Sequence, residues 1–139
     1  MSEHGTLHLR TVTGTGLRFE ARFASHTLTL DSGPGATAPN PVQGLLASLA
    51  ACQGMDVISI LRKKRQDVTG YEIEIHAERA ATHPRRVTSV EIVHRVSGRN
   101  VSEPAVAEAI RLSEEKYCSV HHSLDPRIPI RSRIELRPA

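Results

Sequence analysis

Cys52 and Cys118 are the only cysteines in the chain and the residues best equipped for chemistry. Cys52 falls inside an apolar stretch with a helical signal, where desolvation disfavours the thiolate and, with it, reactivity. Cys118 ends a second helical signal, beside His121 and His122. A reactive Cys52 therefore needs compensation, either from a neighbouring cation or from a second thiol that closes a disulfide. If the fold brings the two sulfurs together, a Cys52 thiolate attacks the O–O bond of a peroxide and becomes a sulfenic acid. Cys118 then condenses with it to a disulfide, and an external dithiol resets the pair. The competing reading makes Cys52 a small hydrophobe among alanines and leucines.

A second chemistry is metal binding, because Cys118, His121 and His122 lie within five residues and Cys52 could add a fourth ligand. Zinc sites usually carry paired motifs such as Cys-x2-Cys, and none is present. Gly14 and Gly16 precede a strand signal rather than a helix, so no phosphate-binding loop is indicated. Ser48 and Ser59 sit inside the helical stretch without the glycine pattern of a nucleophile elbow. The pI near 9.2 and net charge of +3 invite a nucleic-acid reading. The aromatic residues are only Phe19, Phe23, Tyr71 and Tyr117, too few for a stacking platform. The run Arg62-Lys63-Lys64-Arg65 also has a structural reason, since cations complement a helix C-terminus.

The elements that must position the thiols follow from patterning. Leu7 to Val12, Leu17 to Phe23 and His26 to Leu30 read as three antiparallel strands, punctuated by Gly14, Gly16 and Ala24-Ser25. After a breaker-rich loop, Asn40 is a good N-cap, Pro41 suits the first helical position, and Gln43 completes a capping box. From Leu45 to Leu61 the only charge is Asp56. A helix apolar on every side must be covered on every side, which predicts a homodimer, unless the second half of the chain wraps it. Tyr71, Ile73, Ile75 and Ala77 alternate with Glu72, Glu74, His76 and Glu78 as a half-buried strand. Val90, Ile92, His94 and Val96 continue the pattern after a turn around His83-Pro84. Ser102 caps a second helix whose apolar face carries Val106, Ala109, Ile110 and Tyr117. Ser119 to Leu124 reads as a short turn or helix, and Ile128, Ile130, Ile134 and Leu136 as a last strand. The order β-β-β-α-β-β-α-β predicts an α+β fold with antiparallel pairing.

A chain of 139 residues makes a single domain, 1–139, that buries a core without disulfide staples. The start, Met1 to Gly5, has no charged region leading into an apolar run, and no stretch reaches the roughly 18 apolar residues of a membrane span. The expectation is a soluble, cytoplasmic protein without membrane or nucleic-acid partners, in a compartment that keeps thiols reduced.

The segment Asn40-Pro41-Val42-Gln43-Gly44-Leu45-Leu46-Ala47-Ser48-Leu49-Ala50-Ala51-Cys52 resembles the OsmC/Ohr superfamily of osmotically inducible and organic-hydroperoxide-resistance proteins. Asp56 to Gln66 and Ala109 to Val120 resemble in particular its YhfA-like branch, and the likeness spans nearly the whole chain. The resemblance implies an OsmC-like fold: antiparallel sheets wrapped around a long central helix in an intertwined homodimer. It implies thiol-dependent reduction of organic hydroperoxides, with Cys52 peroxidatic, Cys118 resolving, a lipoylated protein or small thiol as reductant, and no metal or flavin. In well-studied branches a glutamate after the helix-start proline holds an arginine against the thiol. Here that position is Val42, followed by neutral Gln43. Arg10, Arg18 and Arg22 lie in the N-terminal strands, and Arg18, next to the Gly14 to Gly16 turn, is the expected cation. The alternative function is a weakly active or non-enzymatic dimer that binds an apolar ligand or handles a sulfur or redox signal. Asp56, Glu114 and Glu115 are acids of unassigned role.

Overall fold

The computed structural model describes residues 8–11 and 16–138. The readings at Met1 to Gly5, Leu7, Val12 and Gly14 lie outside the described residues. The chain divides into two compact units, Met1–Leu45 and Leu46–Ala139, where the sequence suggests a single domain.

The first unit holds an antiparallel sheet of β1 (His8–Thr11), β2 (Phe19–Phe23) and β3 (His26–Leu30) in that order, as the alternation predicts. Ala24 and Ser25 form the two-residue turn between β2 and β3, with Ala24 at φ 50°, the sign such a turn requires. Past β3, the Asp31 carboxylate accepts from the backbone N–H groups of Ser32 and Thr37 at 2.8 and 3.0 Å, which folds the loop back on itself. These donors hold its carboxyl below the usual range. The loop delivers the chain to α1 (Pro41–Lys63). Its start is the expected capping box: Asn40 Oδ1 accepts from the Gln43 N–H at 2.8 Å, and Gln43 Oε1 accepts from the Asn40 N–H at 2.9 Å.

The second unit contains the rest of α1, β4 (Asp67–Arg79), β5 (Val87–Arg99), α2 (Glu103–Leu112), a π-helical turn at Ser113–Tyr117, α3 (Ser119–His122) and β6 (Ile130–Pro138). Strand order is β4-β5-β6, so β5 is central. Accordingly Val90, Ile92, His94 and Val96 are buried, and Val93 on the opposite side is buried too. The core of the unit joins Val57 and Leu61 of α1, Val96 of β5, and Val106, Ala109 and Ile110 of α2. α1 ends on a left-handed residue, Arg65 at φ 56°, with the Gln66 N–H bonded to the Leu61 carbonyl at 3.0 Å.

Three expectations need correction. β6 pairs with β5 in parallel rather than antiparallel. The crossover through α2 carries the chain back to the starting end of β5, and a strand entered that way runs the same direction as its neighbour. Tyr117 is half-exposed rather than part of the apolar face of the second helix. The wide π turn inserts one residue into the helical phase, so Cys118, not Tyr117, falls on the inward side. Finally, α1 has an 18-residue window of mean hydropathy 1.6 and is long and apolar enough, by length and composition, to cross a membrane. Scattered Ser, Gly and Gln residues conceal this in a search for an unbroken apolar run. The polar groups of Gln53 and Asp56 in this helix are bonded to side chains of the same unit, as in a core helix.

Candidate active site

Cys52 projects from the middle of α1, and Cys118 stands where the π turn ends and α3 begins. Their Sγ atoms and a carboxylate oxygen of Asp56, one turn after Cys52, all lie within 4.8 Å of one another. Both thiols are free. Cys52 is half-buried, which tempers the desolvation expected for a thiol in an apolar helix, whereas Cys118 is wholly buried. Burial pushes the Cys118 thiol up to about 11, and the neighbouring Cys52 and Asp56 act in the same direction. Against this, the His121 backbone N–H donates to Cys118 Sγ at 3.4 Å.

The π turn makes this meeting possible. Its i to i+5 geometry is closed by the Cys118 N–H bonding the Ser113 carbonyl at 2.8 Å. The same turn aims two side chains at α1. Ser113, fully buried, donates from Oγ to Asp56 Oδ2 at 2.8 Å, and Glu114 Oε1 accepts from Gln53 Nε2 at 3.4 Å. Asp56 is thereby fixed beside the sulfurs.

Next to Cys52, Gln53 belongs to a chain of polar side chains joining α1, all three strands of this sheet and the π turn. The Tyr71 hydroxyl meets His94 Nδ1 at 2.6 Å, and His94 Nε2 meets Gln53 Oε1 at 2.8 Å. Ser132 Oγ donates to Glu114 Oε1. A single assignment satisfies every member: Tyr71 donates, His94 is the neutral Nε2–H tautomer, and Gln53 passes its amide N–H to the Glu114 carboxylate. Burial supports the neutral ring by lowering the His94 pKa to about 4.

Arg18, the predicted cation, is half-buried in the first unit and donates from Nη1 to Thr37 Oγ1 at 2.7 Å. Its Nε is buried without a partner among the described residues. Thr37 in turn donates to Asp31 at 3.3 Å. His121 and His122 stack loosely on each other, ring centroids 5.6 Å apart, and neither belongs to the cluster of Cys52, Asp56 and Cys118. Glu115 pairs with Arg111 at 3.0 Å on the exposed side of the helix.

Residues 33–133 match the family model described as OsmC-like protein. The chain belongs to the OsmC-like family. It is similar to Protein YhfA of Escherichia coli K12, with 38% identity over 122 residues, covering 87% of this chain and 91% of the relative. Among solved structures, a hypothetical protein from Aquifex aeolicus VF5 is 29% identical with TM-score 0.86, covering 99% of each chain. An organic hydroperoxide resistance protein OsmC from Legionella pneumophila, also described as a predicted redox protein, shares the fold at 15% identity and TM-score 0.69, covering 96% of this chain and 99% of that one. This OsmC-like chain has the α+β architecture expected from its patterning.

The sequence singles out Cys52, Cys118, Asp56 and Glu114, but not the supporting set of Tyr71, His94, Gln53, Ser113 and Ser132. Two signals were present: His94 occupies an inward position between Ile92 and Val96, and Gln53 interrupts an apolar helix. A polar residue in such a place needs a buried partner.

Proposed function

We propose that this OsmC-like protein is a thiol peroxidase for organic hydroperoxides, and the observation that carries the reading is the approach of Cys52 Sγ to Cys118 Sγ within 4.8 Å. The half-buried sulfur, Cys52, is the one a hydroperoxide can reach. Its thiolate attacks the terminal peroxide oxygen, the O–O bond breaks, and the alkoxide leaves as an alcohol after taking a proton. Cys52 is left as a sulfenic acid. Cys118 sulfur then attacks Cys52 sulfur, water departs, and the disulfide forms. A dithiol reductant, such as a lipoylated protein or a small thiol, returns both cysteines to thiols.

Arg18 is the cation we assign to favour the Cys52 thiolate and to stabilise charge on the departing oxygen, a role suited to its half-buried guanidinium. The working form we propose is a cytoplasmic homodimer, with 1–139 acting as one domain. Support comes from the uncovered side of α1, where Met55 is 69% exposed and where Ala47, Ala51 and Ile58 border an apolar groove of about 570 Å³ with Ile73 of β4. The same groove favours the second reading, a dimer that binds an apolar ligand without turnover.

The deciding experiment is an alkyl hydroperoxide pulse on the reduced protein, with free thiols counted and peptides mapped. The expected result is loss of both thiols and a Cys52–Cys118 disulfide. In Cys118→Ser the reaction stops at a sulfenic acid that dimedone traps. Thiols untouched by hydroperoxide would end the enzymatic reading and leave ligand binding.

A further inference from the structure

We propose that the reduced pair, together with Asp56, is a binding site for one soft divalent cation such as zinc. This assignment stands independently of the peroxidase reading. It differs from the metal set the sequence offers, because it uses Asp56 and neither His121 nor His122.

Two thiols and a carboxylate form the mixed donor set that zinc accepts, at about 2.3 Å to sulfur and 2.0–2.2 Å to oxygen. Tetrahedral angles at those lengths place ligand atoms roughly 3.5–3.8 Å apart. The three atoms here already lie within 4.8 Å of one another, so small side-chain rotations bring all of them onto one ion.

The surroundings support these donors. Asp56 Oδ2 accepts from buried Ser113 at 2.8 Å, fixing the carboxylate's orientation while Oδ1 stays available. Cys118 Sγ accepts the His121 backbone N–H at 3.4 Å, a contact that stabilises a metal-bound thiolate. Donors of this outer kind typically contribute about 10- to 100-fold to metal affinity. Cys52 and Asp56 are only half-buried, which gives the ion an entry path and leaves a fourth position open to water. Binding two thiols as thiolates releases their protons, and a disulfide lacks the donors altogether. The bound cation and an oxidant therefore compete for the same sulfurs.

The test is anaerobic titration of the reduced, reductant-free protein with Co2+, read by the sulfur-to-cobalt charge-transfer band, followed by displacement with Zn2+. One cobalt per chain should saturate the band, and zinc should erase it. Ser113→Ala should weaken binding about tenfold and Asp56→Asn at least as much. Cys52→Ser and Cys118→Ser should each lose the two-thiolate intensity. Because replacing buried Cys118 could disturb the fold, two readouts use the native sequence. The disulfide form should give no band, and Zn2+ should slow alkylation of Cys52 and Cys118 together. Absence of a charge-transfer band in the reduced protein overturns the site. So does full-intensity binding by the disulfide form, or affinity unaffected by Asp56→Asn.

Discussion

Gln53 Oε1, which can only accept, sits 2.8 Å from Nε2 of His94, and that contact fixes which ring nitrogen carries the proton, leaving Nδ1 to accept from the Tyr71 hydroxyl at 2.6 Å. Nε2–H donates onward to Gln53, and the polarity of the chain ends at the Glu114 carboxylate. A proton added to His94 would place a second hydrogen against the Tyr71 hydroxyl inside an otherwise apolar layer. The residue beside Cys52 on α1 is thus held by a ring that resists ionisation.

Acid should unfold the protein through this ring. The folded His94 pKa is lowered to about 4 from an ordinary 6.5, so between those values the unfolded chain binds more protons and stability falls as pH falls. The full window corresponds to roughly 3 kcal/mol. Urea midpoints of the wild type and His94→Gln measured from pH 7.5 to 4 should converge as pH drops, since the variant lacks this term. Parallel curves would show that His94 is not the acid-labile group.

Removing the charge of Asp56 should make Cys118 more acidic. Burial is the main reason its thiol is pushed up to about 11, so Asp56→Asn brings it only part of the way back. The expected observation is faster Cys118 alkylation at pH 9 in the variant, with the apparent midpoint displaced downward. A midpoint that moves upward would instead make the carboxylate a helper of the thiolate.

Under the role proposed for it, Arg18→Ala should slow alkylation of Cys52 at neutral pH by about tenfold. Peptide mapping separates this from Cys118. Identical rates in the two proteins would remove Arg18 from the mechanism and point to Arg10 or Arg22.

At the end of α1, Arg65 occupies a left-handed conformation at φ 56° where glycine carries no Cβ penalty. Arg65→Gly should raise stability by about 1 kcal/mol, visible as a higher thermal midpoint. A lower midpoint would mean that the arginine side chain contributes more than its backbone costs.

Much of the scaffold was legible in the residues. The Asn40–Gln43 capping box, the Ala24-Ser25 turn and the alternation through Tyr71 to Ala77 are local signals, and each element forms where its signal lies. Placing Cys118 on the second helix's end also depended only on local pattern. What was not legible depends on backbone geometry that sequence periodicity assumes rather than reveals. A 3.6-residue period carried from Ile110 puts Tyr117 inward, and the π turn defeats it by one residue. The parallel β6 is likewise a property of the crossover, since its own alternation is the same in either direction. The π turn also supplies what the pattern leaves open, the partners of Ser113 and Glu114, by pointing them at Asp56 and Gln53.

Winding density over five residues, Ser113 to Tyr117, decides which side chain reaches the neighbourhood of Cys52. Rewound at ordinary pitch, the segment would present a phenol there and carry the second sulfur away. The capacity to form an internal sulfur–sulfur bond is therefore lodged in main-chain pitch as much as in the presence of two cysteines.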